Sequence, residues 1–229
     1  MFGTLYQSGD LVSTSFALLT LALFAVAALC LLGLSWTNDH WRVPLAVTGA
    51  ALLAAALAAQ DAATVWLASG TASAAHRYVG WMVTQPMLVA AIYFLVRAVG
   101  PVPVGIFWRI TVAAILMVLS RYLGDADIFD PTLGVLLSIA FWLYILGELY
   151  FGAMAERTGA AARPIRLGYF WIRLILTIGW AIYPLMHFVD VVIGAGQASG
   201  VVVIYSLADL LNVVTVALIV LAVASQQRV

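Results

Sequence analysis

The chain has 229 residues, of which 65% are hydrophobic and 9% charged, with ten acidic residues balanced by ten basic ones. So little polar surface excludes a water-soluble globule of this size, and no nucleic-acid partner is expected; the chain reads as an integral membrane protein in contact with the lipid bilayer. A helix needs about 20 apolar residues to cross a hydrocarbon core roughly 30 Å thick. Seven such runs can be placed, at about 10–33, 41–68, 76–98, 104–123, 131–155, 165–192 and 200–226. The expected architecture is all-α, a seven-transmembrane-helix bundle using residues 1–229 as one membrane domain, multi-pass in the cell (inner) membrane.

The first run follows an uncharged start, Met1 to Gly9, with Asp10 just before it. It lacks the basic flank and small-residue cleavage site of a signal peptide and reads as a mature helix. Ser13, Thr14, Ser15 and Phe16 lead into Ala17 to Leu34, a packing and lipid-facing segment that holds the lone Cys30, for which inert packing is the expected role. The second run is alanine-rich from Ala46 to Ala63, which favours close helix approach in lipid. Gln60 and Asp61 fall in its outward half. Asp61 belongs either to an internal polar network or, with tilt, to the outer interface.

The third run contains His76, Arg77, Tyr78, Gly80, Trp81, Thr84, Gln85 and Pro86. Bundle neighbours can satisfy the carbonyl that Pro86 frees, and Arg77, Trp81 and Leu88 share one face. His76 reads as interfacial. After the Gly100–Pro103 turn, the fourth run ends at Arg121 to Ile128, where Asp125, Asp127 and Asp130 read as a solvated rim. In the fifth run, pairing with Arg109 or Arg166 would relieve the burial of Glu148. The basic loop from Arg157 to Arg166 is suited to anionic lipid headgroups. The sixth run places Trp180, Tyr183 and His187 at helical spacing, and the last sets Asp209 and Asn212 inside a long apolar stretch.

Arg42, Arg97, Arg109, Arg157, Arg163, Arg166 and Arg228 lie in or beside one set of loops and the C-terminus. Arg77, Arg121, Asp125, Asp127, Asp130 and Asp190 mark the other side. By the positive-inside rule the N-terminus is outside and the C-terminus cytoplasmic.

Runs two to seven resemble the microbial (type 1) rhodopsins, and within them the proteorhodopsin branch, with the most specific motifs in the third, sixth and last. The last run matches L-A-D-x-x-N-K at Leu207, Ala208, Asp209 and Asn212, with Val213 where the family has its lysine. The third matches R-Y-x-D-W-x-x-T-x-P at Arg77, Tyr78, Trp81, Thr84 and Pro86, with Gly80 in place of the aspartate and Ala91 where a further carboxylate is expected. The sixth carries Gly179 to Pro184 as G-W-A-I-Y-P. The family histidine and tyrosine of the second helix fall on Ala58 and Ala59. In that family the lysine carries retinal as a protonated Schiff base and the aspartates supply its counter-charge and proton acceptor.

The resemblance implies a retinal-type pocket lined by Gly80, Trp81, Thr84, Gln85, Trp180, Tyr183, His187 and Val213. It also implies a polar centre formed by an Arg77–Asp209 pair. Because the chain contains no lysine, the resemblance further implies a lysine-less rhodopsin with no covalent cofactor and no light-driven proton pumping. Loss of the lysine side chain leaves an elongated apolar cavity, open to noncovalent retinal, another polyene or a lipid tail, or to collapse. Two functions are consistent with this: a ligand-binding sensory relative, and an oligomeric structural subunit with a lipid-filled or empty core. A homo-oligomer is expected in either case. No Ser/His/Asp or multi-histidine constellation is present, so neither a catalytic residue nor a metal site is assigned and an enzyme is not expected.

Overall fold

Apolar runs longer than 20 residues must satisfy their own backbone hydrogen bonds in lipid, and here they do so as helices. A computed structural model describes residues 9–72, 74–193 and 199–226, with side chains throughout except at 74–75 and 190–193. Arg228 and the side chain of Asp190, both used above to orient the chain, lie outside the described residues. The helices are α1 (Leu11–Gly33), α2 (Asp39–Ser69), α3 (Ala74–Val99), α4 (Val104–Asp125), α5 (Pro131–Phe151), α6 (Ala153–Gly159), α7 (Arg163–Ile193), α8 (Ser199–Asp209) and α9 (Thr215–Gln226). A π-helical turn, Leu210–Val214, joins α8 to α9. Together they supply seven segments long and apolar enough to cross a membrane.

Two of the expected helices are interrupted. The fifth stops at Phe151 because Gly152, a poor helix former, takes an extended backbone before the short α6 begins. The seventh runs on from Asp209 but widens over Leu210–Val214, so Asp209 and Val213 are separated by a π turn instead of a regular α turn.

The termini are set by local chemistry. The Asp10 carboxylate caps α1 by accepting from the amides of Val12 (3.0 Å) and Ser13 (3.3 Å). It also accepts from the Trp66 indole at 2.6 Å, which ties the start of α1 to the end of α2. Burial raises this carboxyl, but the donors from Trp66, Val12 and Ser13 outweigh it and hold Asp10 below the usual carboxylate range. Gly70 ends α2 at φ +67, a left-handed position that disfavours side chains with a Cβ. Asp130 caps α5, with Pro131 at its first position.

The helices pack in sequence, α1 on α2, α2 on α3, α3 on α4 and α4 on α5, and α8 and α9 close the ring against α1. The core is almost wholly apolar, with Leu45, Leu52, Ile92, Leu95, Ile110, Ile145, Leu176 and Val220 at its centre. Two buried tyrosines face carbonyls: Tyr93 donates to the Val102 oxygen at 3.1 Å and Tyr169 to that of Leu149 at 2.9 Å.

Candidate ligand-binding site

Asp209 ends α8, and its carboxylate is held by neutral donors. The Trp81 indole from α3 reaches both oxygens at 3.2 Å, and the Tyr183 hydroxyl from α7 donates to Oδ1 at 2.7 Å. Asn212, in the π turn, extends the group by donating to the Tyr183 hydroxyl (3.2 Å) and to the Gly179 carbonyl (3.0 Å). Gly179 permits this contact, since a Cβ there would lie 1.7 Å from Asn212 Oδ1 and the amide would have to shift. Three aromatic rings frame the carboxylate. Trp81 meets Tyr183 edge-on at 4.8 Å between centroids, and Tyr183 and Tyr205 lie nearly parallel at 6.1 Å.

The expected Arg77–Asp209 ion pair does not form. The Arg77 guanidinium lies over the Tyr205 ring, 4.2 Å from its centroid, and 5.9 Å from that of Trp81. The reason is local. Trp81, one turn after Arg77 on the same face, takes the Asp209 oxygens with its N–H, and Tyr205 offers the guanidinium a π face instead.

The expected elongated cavity is also divided. Trp81 and Tyr205 border two separate spaces. The first, about 70 Å³, is lined by Gly80, Thr84, Asp209 and Val213 with small residues of α2, among them Ala58 and Ala59. The second, about 60 Å³, lies toward α4, α5 and α7 between Gln85, Met117, Trp142, Trp180 and Tyr183. Trp81, held to Asp209 by its indole, is a wall common to both spaces.

Gly80 lines the first space as expected, but it is also a packing residue. A Cβ at this position would lie 2.6 Å from that of Ala58, so the glycine lets α3 press against α2. Val213 is 4% exposed and packs beside the Asp209 cavity. Thr84, Gln85 and Trp180 are buried as expected, and Gln85 Oε1 and Trp180 Nε1 have no hydrogen-bond partner.

His187 is buried but lines neither space. Its Nδ1 lies 3.0 Å from Nη2 of Arg121, which also pairs with Asp125, and Asp125 in turn accepts from Tyr78. This cluster joins α3, α4 and α7. Asp125 therefore belongs to an inter-helix network instead of a simple solvated rim, and the Arg121/Asp125 spacing of four within a helix was the available signal. Asp61 stays out of the core: its side chain is 62% exposed and lies 3.5 Å from His76, in keeping with the interfacial alternative. Glu148 pairs with Arg109 at 2.9 Å, one of the two arginines expected for it.

A seven-helix bundle whose last helix carries a caged aspartate, faced by aromatic residues of α3 and α7, defines the class of the microbial rhodopsins. The bacteriorhodopsin-like protein model matches residues 10–227, and the chain belongs to that family. Over 222 residues it is 27% identical to the green-light absorbing proteorhodopsin of Gamma-proteobacterium EBAC31A08, covering 96% of this chain and 89% of the relative. It is 26% identical to the blue-light absorbing proteorhodopsin of Gamma-proteobacterium Hot 75m4 over 220 residues, 95% and 88% of the two chains. The crystal structure of the blue light-absorbing proteorhodopsin from Med12 superposes with a TM-score of 0.80 at 25% identity, covering 96% of this chain and all of that one. The protein is thus a multi-pass membrane protein of the microbial rhodopsin fold.

Proposed function

We propose that this protein forms no retinal Schiff base, does not pump protons, and binds retinal or another apolar polyene noncovalently as a sensory module. In this reading the N-terminus is outside and the C-terminus cytoplasmic. The protein assembles as a homo-oligomer and passes its signal through the inner ends of α7 and α9. The observation that carries the reading is the burial of Val213 against the Asp209 cavity while Trp142, Trp180 and Tyr183 still wall the space on the other side of Trp81. An amine must be present to make the imine, and no lysine exists anywhere in the chain. The Gly80–Ala58 contact supports the loss of pumping, because the place of the family acceptor is occupied by helix packing. An added ionised carboxylate there would cost several kcal/mol unless Arg77 left Tyr205 to pair with it.

A ligand of polyene length requires Trp81 to leave Asp209, joining the two spaces. As they stand, about 70 and about 60 Å³, together they approach the roughly 150 Å³ of a cavity that takes benzene. That observation favours a second reading, an oligomeric structural subunit whose core stays closed.

Titration of the purified, unmodified protein with all-trans-retinal separates the two. Saturable quenching of tryptophan fluorescence, with an absorption band that organic solvent removes and hydroxylamine leaves unchanged, is the expected result. Absence of saturable binding would leave the structural reading. The Val213→Lys variant is expected to form a visible, covalently held pigment with retinal. Acidification of the medium by illuminated cells carrying the unmodified chain would overturn the claim that it does not pump.

A further inference from the structure

We infer that Arg173 holds the phosphate of an anionic phospholipid in the seam between α5 and α7. Arg173 lies within α7, ten residues after its first residue, Arg163. At 1.5 Å per residue that is about 15 Å along the axis. Its side chain leans back toward the start of the helix, as helical side chains do. The guanidinium comes to rest 5.0 Å from the ring centroid of Tyr169, one turn earlier, and 4.7 Å from that of Tyr150 on α5.

These rings give the cation two π faces and no acceptor. The hydroxyls are engaged elsewhere: Tyr169 donates to the Leu149 carbonyl at 2.9 Å, and Tyr150 shares a hydrogen bond with Thr177 at 3.1 Å. Nε of Arg173 is buried without a partner. Among the described residues no carboxylate lies within 4.0 Å of this guanidinium, and Glu148, the nearest acid in sequence on α5, is taken by Arg109. A guanidinium within a membrane span is costly unless an anion or acceptor meets it, and it carries five N–H donors in a fork that fits a phosphate.

The missing acceptor must come from outside the chain, and the flank of α7 indicates its source. Phe170, three residues before Arg173 and so its neighbour on the helix surface, stands 47% exposed, an apolar surface suited to acyl chains. Arg166, exposed and two turns nearer the helix start on the face of Arg173, donates to the Ala161 carbonyl with one nitrogen and retains other donors. A phosphate entering from the membrane surface along this face passes Arg166 and reaches Arg173, with an acyl chain against Phe170. A soluble anion would satisfy the charge but leave Phe170 uncovered.

Native mass spectrometry of the full chain in detergent tests this, using phosphatidylglycerol and phosphatidylcholine with identical acyl chains. The unmodified protein is expected to retain one phosphatidylglycerol at least tenfold more tightly than phosphatidylcholine. Arg173→Gln should abolish the preference, and Arg173→Lys should keep part of it by charge without the fork. Inorganic phosphate in hundredfold excess should not displace the lipid. Equal binding of the two lipids by the unmodified protein would overturn the inference without recourse to any variant, as would an unchanged preference in Arg173→Gln. Displacement by inorganic phosphate would overturn the lipid as occupant and assign the site to a soluble anion.

Discussion

Toward α4, α5 and α7 the space beside Trp81 is walled by the large rings of Trp142, Trp180 and Tyr183, whereas toward α2 the facing wall is built from Ala58, Ala59, Gly80 and Val213. The ring-walled side keeps what is needed to touch an extended apolar molecule. The small-residue side lacks the groups that would attach one or accept a proton from it. Contact area and proton chemistry are thus separable in this bundle. The first resides in bulky side chains whose packing stabilises the fold in any case, and the second in a few polar groups that are costly to bury unpaired.

The largest expected effect lies where the ring-walled side meets the last helix. In Gly179→Ala the new methyl would fall 1.7 Å from Asn212 Oδ1. Asn212 would have to abandon Gly179 and Tyr183, at an expected cost of about 3 kcal/mol from overpacking and a lost buried hydrogen bond. Thermal unfolding in detergent checks it, and an unchanged midpoint would show that the turn can yield. On the opposite side, Gly80→Ala should cost about 2 kcal/mol by forcing α3 away from Ala58. Combination with Ala58→Gly should recover most of that loss, a coupling that a double-mutant cycle measures.

Asp209→Asn tests the link between the two sides. Replacing a charged acceptor of three donor contacts should lower stability by about 1.5–3 kcal/mol. It should also free Trp81, seen as a red shift in tryptophan emission and as tighter retinal binding. Weaker retinal binding in this variant would show that the Trp81–Asp209 bond supports the pocket instead of closing it.

The smallest effect is expected far from both spaces, at Asp10. Asp10→Ala removes a cap worth about 1 kcal/mol. The folded-state pKa of Asp10 lies below its ordinary value, so its contribution is complete above the unfolded carboxylate pKa of about 3.9 and is lost as pH falls through the folded value. The unmodified protein should therefore lose its advantage over the variant in an acid titration of the unfolding midpoint.

Much of the fold was legible because hydrophobic length alone marks a membrane helix. The breaks at Gly152 and at Leu210–Val214 were not, since neither one extended residue nor one widened turn alters the hydrophobic length of its run. At the site, Asp209, Trp81 and Tyr183 could be read from motif spacing, and the structure brings them together. The partner of Arg77 could not. Sequence offers an aspartate and says nothing of an indole that reaches it first, or of a tyrosine ring lying beneath the guanidinium. His187 shows the same limit from the other direction: helical spacing placed it inside the bundle, but Arg121 on another helix determines where its ring rests. Arg173 was passed over because a single arginine in an apolar run carries no pattern, and only the tyrosines on two helices give it significance.

The π turn between Asp209 and Thr215 also governs how this chain can change in length. A turn closed by i→i+5 bonds holds one residue more than an α turn. Removing one residue from 210–214 would let the segment relax into continuous α-helix, with Thr215–Gln226 still presenting the same side to α1 and α2. The same deletion after Val216 would rotate everything beyond it by about 100°, carrying Val220, Val223 and Ala224 out of the core. The last helix thus contains one place where its residue count can drift by one, and that place adjoins the carboxylate at the centre of the molecule.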